Sequence, residues 1–178
     1  VPLSMGSDTG GSVRIPASFN GVVGYKTSSR RYSMQGVYPL APSLDTIGPL
    51  AHTVADCALF DAVLRGKDRP EAEAVPAKTL SFGVMPAVSA NFDATVARLE
   101  SAGAKVTRIS LPELSELSDL IARHGFLAGA EALMIHRDRV CGPAAAQMDA
   151  RVVRRIKLAE TMSAVDVLML QEARYRLM

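Results

Sequence analysis

The sequence predicts an α/β fold in which a mixed sheet is flanked by helices, and three observations carry that prediction. Residues 79–111 read strand, helix, strand. Thr79-Leu-Ser-Phe-Gly-Val-Met85 alternates, Phe92, Val96 and Leu99 form a helical stripe stopped at Gly103, and Ala104–Leu111 is extended again. A unit of that length implies two parallel strands joined by a crossover helix. Second, Val54, Ala58, Leu59, Ala62 and Val63 repeat at helical spacing behind Thr53, an N-cap with Asp56 three positions on, and Gly66 closes the run. Third, Gly21-Val-Val-Gly-Tyr-Lys26 is short, β-branched and glycine-flanked, hence a strand.

The remaining elements follow in order. Val1–Met5 is short and apolar, the end of a strand. Residues 13–19 start a short helix, with Pro16 tolerated in its first turn. Residues 27–50 are rich in Ser, Pro and Gly without periodicity and read as loop. Residues 67–78 are charged, carry two prolines and form a surface linker. Pro112 and Glu113 open a helix through Leu117, Leu120, Ile121 and Ala128, and Glu131–Arg139 forms a second. Pro143 starts another, and Ser163 with Asp166 caps the last, which runs to the final residue without a Gly or Pro stop.

Composition narrows the function classes. At 178 residues the chain is one domain at most, and 48% hydrophobic residues suffice for a core. With no Trp and 5% aromatics, that core must be aliphatic. A net charge of +2 does not argue for nucleic acid or a membrane surface. Arg137, Arg139, Arg151, Arg154, Arg155 and Lys157 make the last third basic. No aromatic residues are interleaved for stacking, so a solvated helical face is expected rather than an RNA site. Cys57 falls in a helical apolar pattern and reads as a core thiol. It and Cys141 define no disulfide framework or metal spacing. His124 and His136 lack neighbouring ligands. No apolar run is long enough to span a bilayer, and a cytoplasmic location is expected. No Gly-x-Gly-x-x-Gly follows the strand at 79–85, so nothing suggests a dinucleotide.

The chemistry concentrates in Gly6-Ser-Asp-Thr-Gly-Gly-Ser-Val-Arg-Ile-Pro-Ala17. A strand, a Gly-rich turn and a helix start aim several backbone N–H groups at one point, which suits an anion or a carbonyl oxygen turning negative. A phosphate cradle would need Gly-x-x-x-x-Gly-Lys-Ser/Thr, but Ser12 follows Gly11 directly and Asp8 would repel a phosphate. An acyl-transfer site would use the Thr9, Gly10, Gly11 and Ser12 amides as an oxyanion hole and Ser12 as the attacking hydroxyl. The pattern is not the Gly-x-Ser-x-Gly elbow, since Arg14 stands at the second glycine. Short Gly/Ser turns are common, and on the six residues Gly6–Gly11 alone an ordinary tight turn is the favoured reading.

A longer set of residues adds to the acyl-transfer reading. The Gly6–Phe19 block, then Gly21-Val-Val-Gly-Tyr-Lys26, then Ser43-Leu-Asp-Thr-Ile-Gly-Pro-Leu50, closely resembles the amidase signature family in content, order and spacing. The resemblance implies part of that family's mixed β-sheet core and hydrolysis of a small-molecule amide through a Ser–Ser–Lys triad without metal or cofactor. It implies Ser12 as the acylated nucleophile and Thr9, Gly10 and Gly11 as the oxyanion-hole segment. Asp8 and Arg14 are implied as a pair in contact that braces the loop or lies near substrate, with Arg14 at least partly buried. The family's lysine base and bridging serine precede the nucleophile, and neither is legible in the eleven residues before Ser12. Lys26 follows it and is expected to be solvated or paired. The chain is therefore expected to be a partial domain, cut at both ends and inactive by itself. The alternatives are an amidotransferase subunit releasing ammonia for a tRNA-linked acid, or a non-catalytic module of the same fold.

Overall fold

The computed structural model describes residues 1–70, 73–86 and 89–177. The chain forms two compact units, residues 1–71 with 120–178, and residues 72–119.

In the first unit, β1 (Leu3–Asp8) lies antiparallel to β3 (Thr46–Ala51), in register from Leu3 opposite Ala51 to Asp8 opposite Thr46. β2 (Val23–Gly24) pairs antiparallel with the other side of β3. The segment read as loop from 27 to 50 thus ends in the central strand of a three-stranded sheet, which corrects the sequence reading. β3 is buried along nearly its whole length, so it shows no alternation, and Gly48-Pro49 disguises it further. Pro49 offers only its carbonyl, which accepts the Tyr25 N–H at 3.0 Å. Gly48 is needed for close approach: a Cβ there would stand 1.9 Å from the Tyr25 carbonyl oxygen.

Between β1 and β2 runs α1 (Arg14–Asn20). Its Ala17 is buried, as is Val13 just before it, while Met5, Ile15 and Phe19 face solvent. β3 leads into α2 (Val54–Leu64), whose Thr53 cap is formed as expected, the hydroxyl accepting the Asp56 N–H at 3.1 Å. Cys57 of α2 is buried, and burial, with Asp56 nearby, pushes its thiol pKa up.

The second unit is the expected βαβ arrangement. β4 (Ser81–Val84) and β5 (Lys105–Arg108) are parallel, joined through α3 (Ala90–Ser101), which is capped by Ser89 and buries Val96. Residues 67–70 and 73–76 of the expected linker are exposed and form neither helix nor strand; its residues 71 and 72 lie outside the described residues.

The helical segments also differ from expectation. α4 (Pro112–His124) stops short of Ala128, because Gly125 takes a left-handed φ of +82°. α5 (Leu127–Cys141) then starts four residues earlier than expected. Pro143 opens only a short 3-10 turn, and α6 (Ala150–Lys157) begins after Asp149, whose side chain caps it. α7 (Ala164–Leu177) is capped by Ser163 and Asp166 as expected. Ala132, Leu133 and Val140 of α5 pack with Ile156 and Ala159, and Leu120 packs with Leu170 and Ala173 of α7. The buried residues of these two clusters are aliphatic, as the composition leads one to expect, and Tyr32 is a buried aromatic outside them. Among the described residues, no helix is long and apolar enough to cross a membrane.

Gly48→Ala is expected to lower the unfolding free energy by about 3 kcal/mol or more, since the added methyl meets backbone that cannot yield. Urea denaturation measures it; an unchanged midpoint would contradict the packing of Tyr25 over β3.

Candidate active site

β1 ends at Asp8 and α1 begins at Arg14, so Thr9–Val13 form the turn between them. The turn closes around the Asp8 carboxylate, which is fully buried. Its Oδ1 accepts the Gly11 N–H at 2.7 Å and Arg14 Nη2 at 3.1 Å. Its Oδ2 accepts the Val13 N–H at 3.2 Å, the Arg14 N–H at 3.4 Å and Arg14 Nε at 3.1 Å. Burial alone would raise the pKa of this carboxyl. Arg14 and the Gly11 and Val13 amides outweigh that and hold it down at about 2. Asp8 and Arg14 are therefore in direct contact, and the Arg14 side chain is 53% exposed.

This geometry divides the amides of the turn. Gly11, Val13 and Arg14 point theirs at Asp8, whereas those of Thr9, Gly10 and Ser12 have no hydrogen-bond partner among the described residues. Gly11, grouped with the oxyanion-hole donors in the sequence reading, is thus committed to Asp8. Its own constraint is conformational: φ is +126°, and a Cβ would meet Ile15 Cδ1 at 2.6 Å. Ser12 is exposed, and its hydroxyl is engaged by no described residue.

The flanks of the turn are tied to the start of β3. Thr46 Oγ1 donates to the Asp8 carbonyl at 2.9 Å, and Thr9 Oγ1 donates to Asp45 Oδ1. Sequence reasoning does not single out Asp45 as a functional residue. The available signal is a charged residue set between the apolar Leu44 and Ile47; in the structure Asp45, Thr46 and Ile47 are buried and Leu44 is half-buried. The loop before Asp45 is anchored on the helices. Glu131 of α5 accepts the Ser43 N–H at 2.9 Å and the Ser43 hydroxyl, and Arg174 of α7 donates to the Ser43 carbonyl at 2.6 Å.

Other candidates lie elsewhere. Lys26 Nζ donates to the Thr27 carbonyl at 2.9 Å and makes no bond to Ser12. Thr27 is itself buried, with its hydroxyl on the Ile47 carbonyl at 3.1 Å. His136 is buried, stacked on Tyr38 and 2.8 Å from the Pro39 carbonyl, and His124 faces Asp166 at 2.8 Å. Both histidines are satisfied where they stand. Among the described residues no cluster of three or more His, Cys, Asp or Glu could hold a metal.

A buried aspartate thus lies under a Gly-Gly-Ser turn, between the end of a strand and a short helix. The sequence matches the Amidase family model over residues 1–177, and the chain belongs to that family. It is 38% identical over 177 residues to a 2-amino-5-chloromuconic acid deaminase of Comamonas testosteroni, an overlap of 93% of this chain and 38% of that protein. It is 35% identical over 153 residues to a glutamyl-tRNA(Gln) amidotransferase subunit of Thermotoga maritima, covering 74% of this chain and 32% of that protein. A solved structure described as a crystal structure of amidase matches with a TM-score of 0.83 at 31% identity, over 98% of this chain and 41% of that one. The chain therefore spans well under half the length of these relatives.

The low pKa of Asp8 has a definite sign. Its stabilisation is present at pH above about 4 and is lost as pH falls through about 2. A shift of this size is worth about 1–2 kcal/mol once screening of the exposed Arg14 is allowed for. Asp61 and Asp166 are also held at about 2 by their own partners, so the comparison must isolate Asp8. Asp8→Asn is expected to be less stable than the parent by that amount at pH 7, with the gap closing near pH 2. Urea titrations at both pH values measure it, and a gap independent of pH would contradict the assignment.

Proposed function

We propose that, in the intact protein, this turn performs acyl transfer from a small carboxylic amide. Ser12 Oγ attacks the amide carbon, and the carbonyl oxygen becomes an oxyanion. The Thr9, Gly10 and Ser12 amides receive that charge, since they are the donors Asp8 leaves unused. Collapse breaks the C–N bond, and the nitrogen leaves as ammonia or an amine after taking a proton. Water then cleaves the acyl-Ser12 ester and restores the serine. The observation that carries this reading is the division of the turn's amides: three held on Asp8, three unpartnered beside an exposed serine hydroxyl.

An unassisted serine hydroxyl is a weak nucleophile, so a base must take the Ser12 proton. No described residue hydrogen-bonds to Ser12 Oγ, and Lys26 is occupied by the Thr27 carbonyl. In the amidase signature family that base is a lysine acting through a second serine. Chain 1–178 alone is accordingly expected to release no ammonia from simple amides. Asp8 and Arg14 brace the turn, and the exposed part of Arg14 leaves it available to a substrate.

A second reading is favoured by the relationship to the Thermotoga amidotransferase. The same acyl-Ser12 chemistry would then release ammonia for use by a partner protein rather than into solution. The two readings share every step at Ser12 and differ in the fate of the nitrogen.

In the intact protein Ser12→Ala is expected to lower amide hydrolysis by at least about a thousandfold with the thermal midpoint unchanged. Ammonia release from a panel of aliphatic and aromatic primary amides measures it. A folded Ser12→Ala protein with near-parental turnover would remove Ser12 from the mechanism.

A further inference from the structure

Asp8 fixes only the second half of the turn. Its carboxylate holds Gly11, Val13 and Arg14, and none of those contacts reaches Thr9 or Gly10. β1 ends at Asp8, and the last tie along it is the Thr46 hydroxyl on the Asp8 carbonyl. The peptides carrying the Thr9 and Gly10 N–H groups therefore need another restraint. Gly10 cannot supply it, because it has no side chain and an added Cβ would meet nothing within 4 Å.

The Thr9 side chain provides that restraint. Its hydroxyl is held by Asp45, a carboxylate only 6% exposed. Asp45 is itself immobilised, since its Oδ2 accepts the Leu40 N–H at 2.8 Å and the Ala41 N–H at 2.9 Å. Its own N–H donates to the Ala41 carbonyl at 2.8 Å, and two residues earlier Ser43 is clamped by Glu131 and Arg174. A β-branched side chain has few χ1 positions, so fixing the Thr9 hydroxyl fixes the orientation of its backbone.

The geometry points to Asp45 as a positioning residue for the reaction at Ser12: acting through the Thr9 hydroxyl, it aims the Thr9 and Gly10 amides at the oxyanion. Two buried aspartates then divide the turn, Asp8 shaping the Gly11–Arg14 half and Asp45 the Thr9–Gly10 half. This inference rests on Ser12 being the nucleophile. Asp45 touches neither substrate nor Ser12, and its effect passes wholly through Thr9.

The test uses the intact protein and an alkyl fluorophosphonate, whose phosphoryl oxygen occupies the oxyanion position as Ser12 Oγ displaces fluoride. Labelling of Ser12 is followed by mass spectrometry at several probe concentrations, separating the maximal rate from the concentration for half-maximal rate. Thr9→Val removes the hydroxyl at nearly constant shape. It is expected to lower the maximal rate about tenfold to a hundredfold, with half-saturation and thermal midpoint unchanged, because misdirecting a donor costs less than deleting one. Thr9→Ser, which keeps the hydroxyl, is expected to recover most of the rate. Should Thr9→Val melt early, Thr9→Ala is read in the same way. An unchanged maximal rate in the folded Val or Ala variant, or a Thr9→Ser protein as slow as Thr9→Val, overturns the role of Asp45 and leaves Ser12 as nucleophile intact. Absence of label on Ser12 in the parent protein overturns both.

Discussion

The buried carboxylate of Asp8 is the constraint on which the site depends. A charge removed from water must be matched by donors, and here the donors are the turn's own backbone and one arginine. Satisfying Asp8 therefore dictates where the chain goes after β1. Gly11 must double back in a left-handed conformation to bring its N–H to Oδ1, and Val13 and Arg14 must enter α1 with their amides facing the same group. The amides that cannot reach Asp8 are left unpartnered. The electrostatic demand of one residue thus sorts the turn's amides into those held by Asp8 and those left unpartnered.

The rest of the first unit holds that turn still. β3 is central to the sheet and pairs with β1 as far as Asp8 itself. Its first residue, Thr46, ties the Asp8 carbonyl, and the residue before it, Asp45, ties Thr9. The loop leading to β3 is pinned in turn by α5 and α7 through Glu131, His136 and Arg174. Helices distant in sequence therefore act on the serine turn through one short segment, 38–46. A site placed this way is built on rigid elements rather than on a free loop.

Local features were legible in the sequence and non-local ones were not. The caps at Thr53 and Ser163 appear where expected because their partners lie three residues away, and the βαβ unit announces itself by its periods. β3 was hidden because a strand buried along its length has no alternation and Gly48-Pro49 imitates a turn. The break at Gly125 was hidden because apolar spacing continues across it. Within the turn, Thr9, Gly10, Gly11 and Ser12 read as equivalent donors. The capture of Gly11 by Asp8 is a contact over three residues, a spacing at which aspartate habitually bonds its own backbone, and so it lay within reach of the sequence. The Thr9–Asp45 contact spans 36 positions and is visible only in the fold.

The central claim is that Asp8 holds the Gly11 and Val13 amides and leaves those of Thr9, Gly10 and Ser12 unpartnered. Residue-resolved amide hydrogen exchange on the intact protein tests it most directly. The account predicts slow exchange at Gly11 and Val13 and exchange near the rate of an open chain at Thr9, Gly10 and Ser12. Exchange at Gly11 as fast as at Gly10 would contradict it.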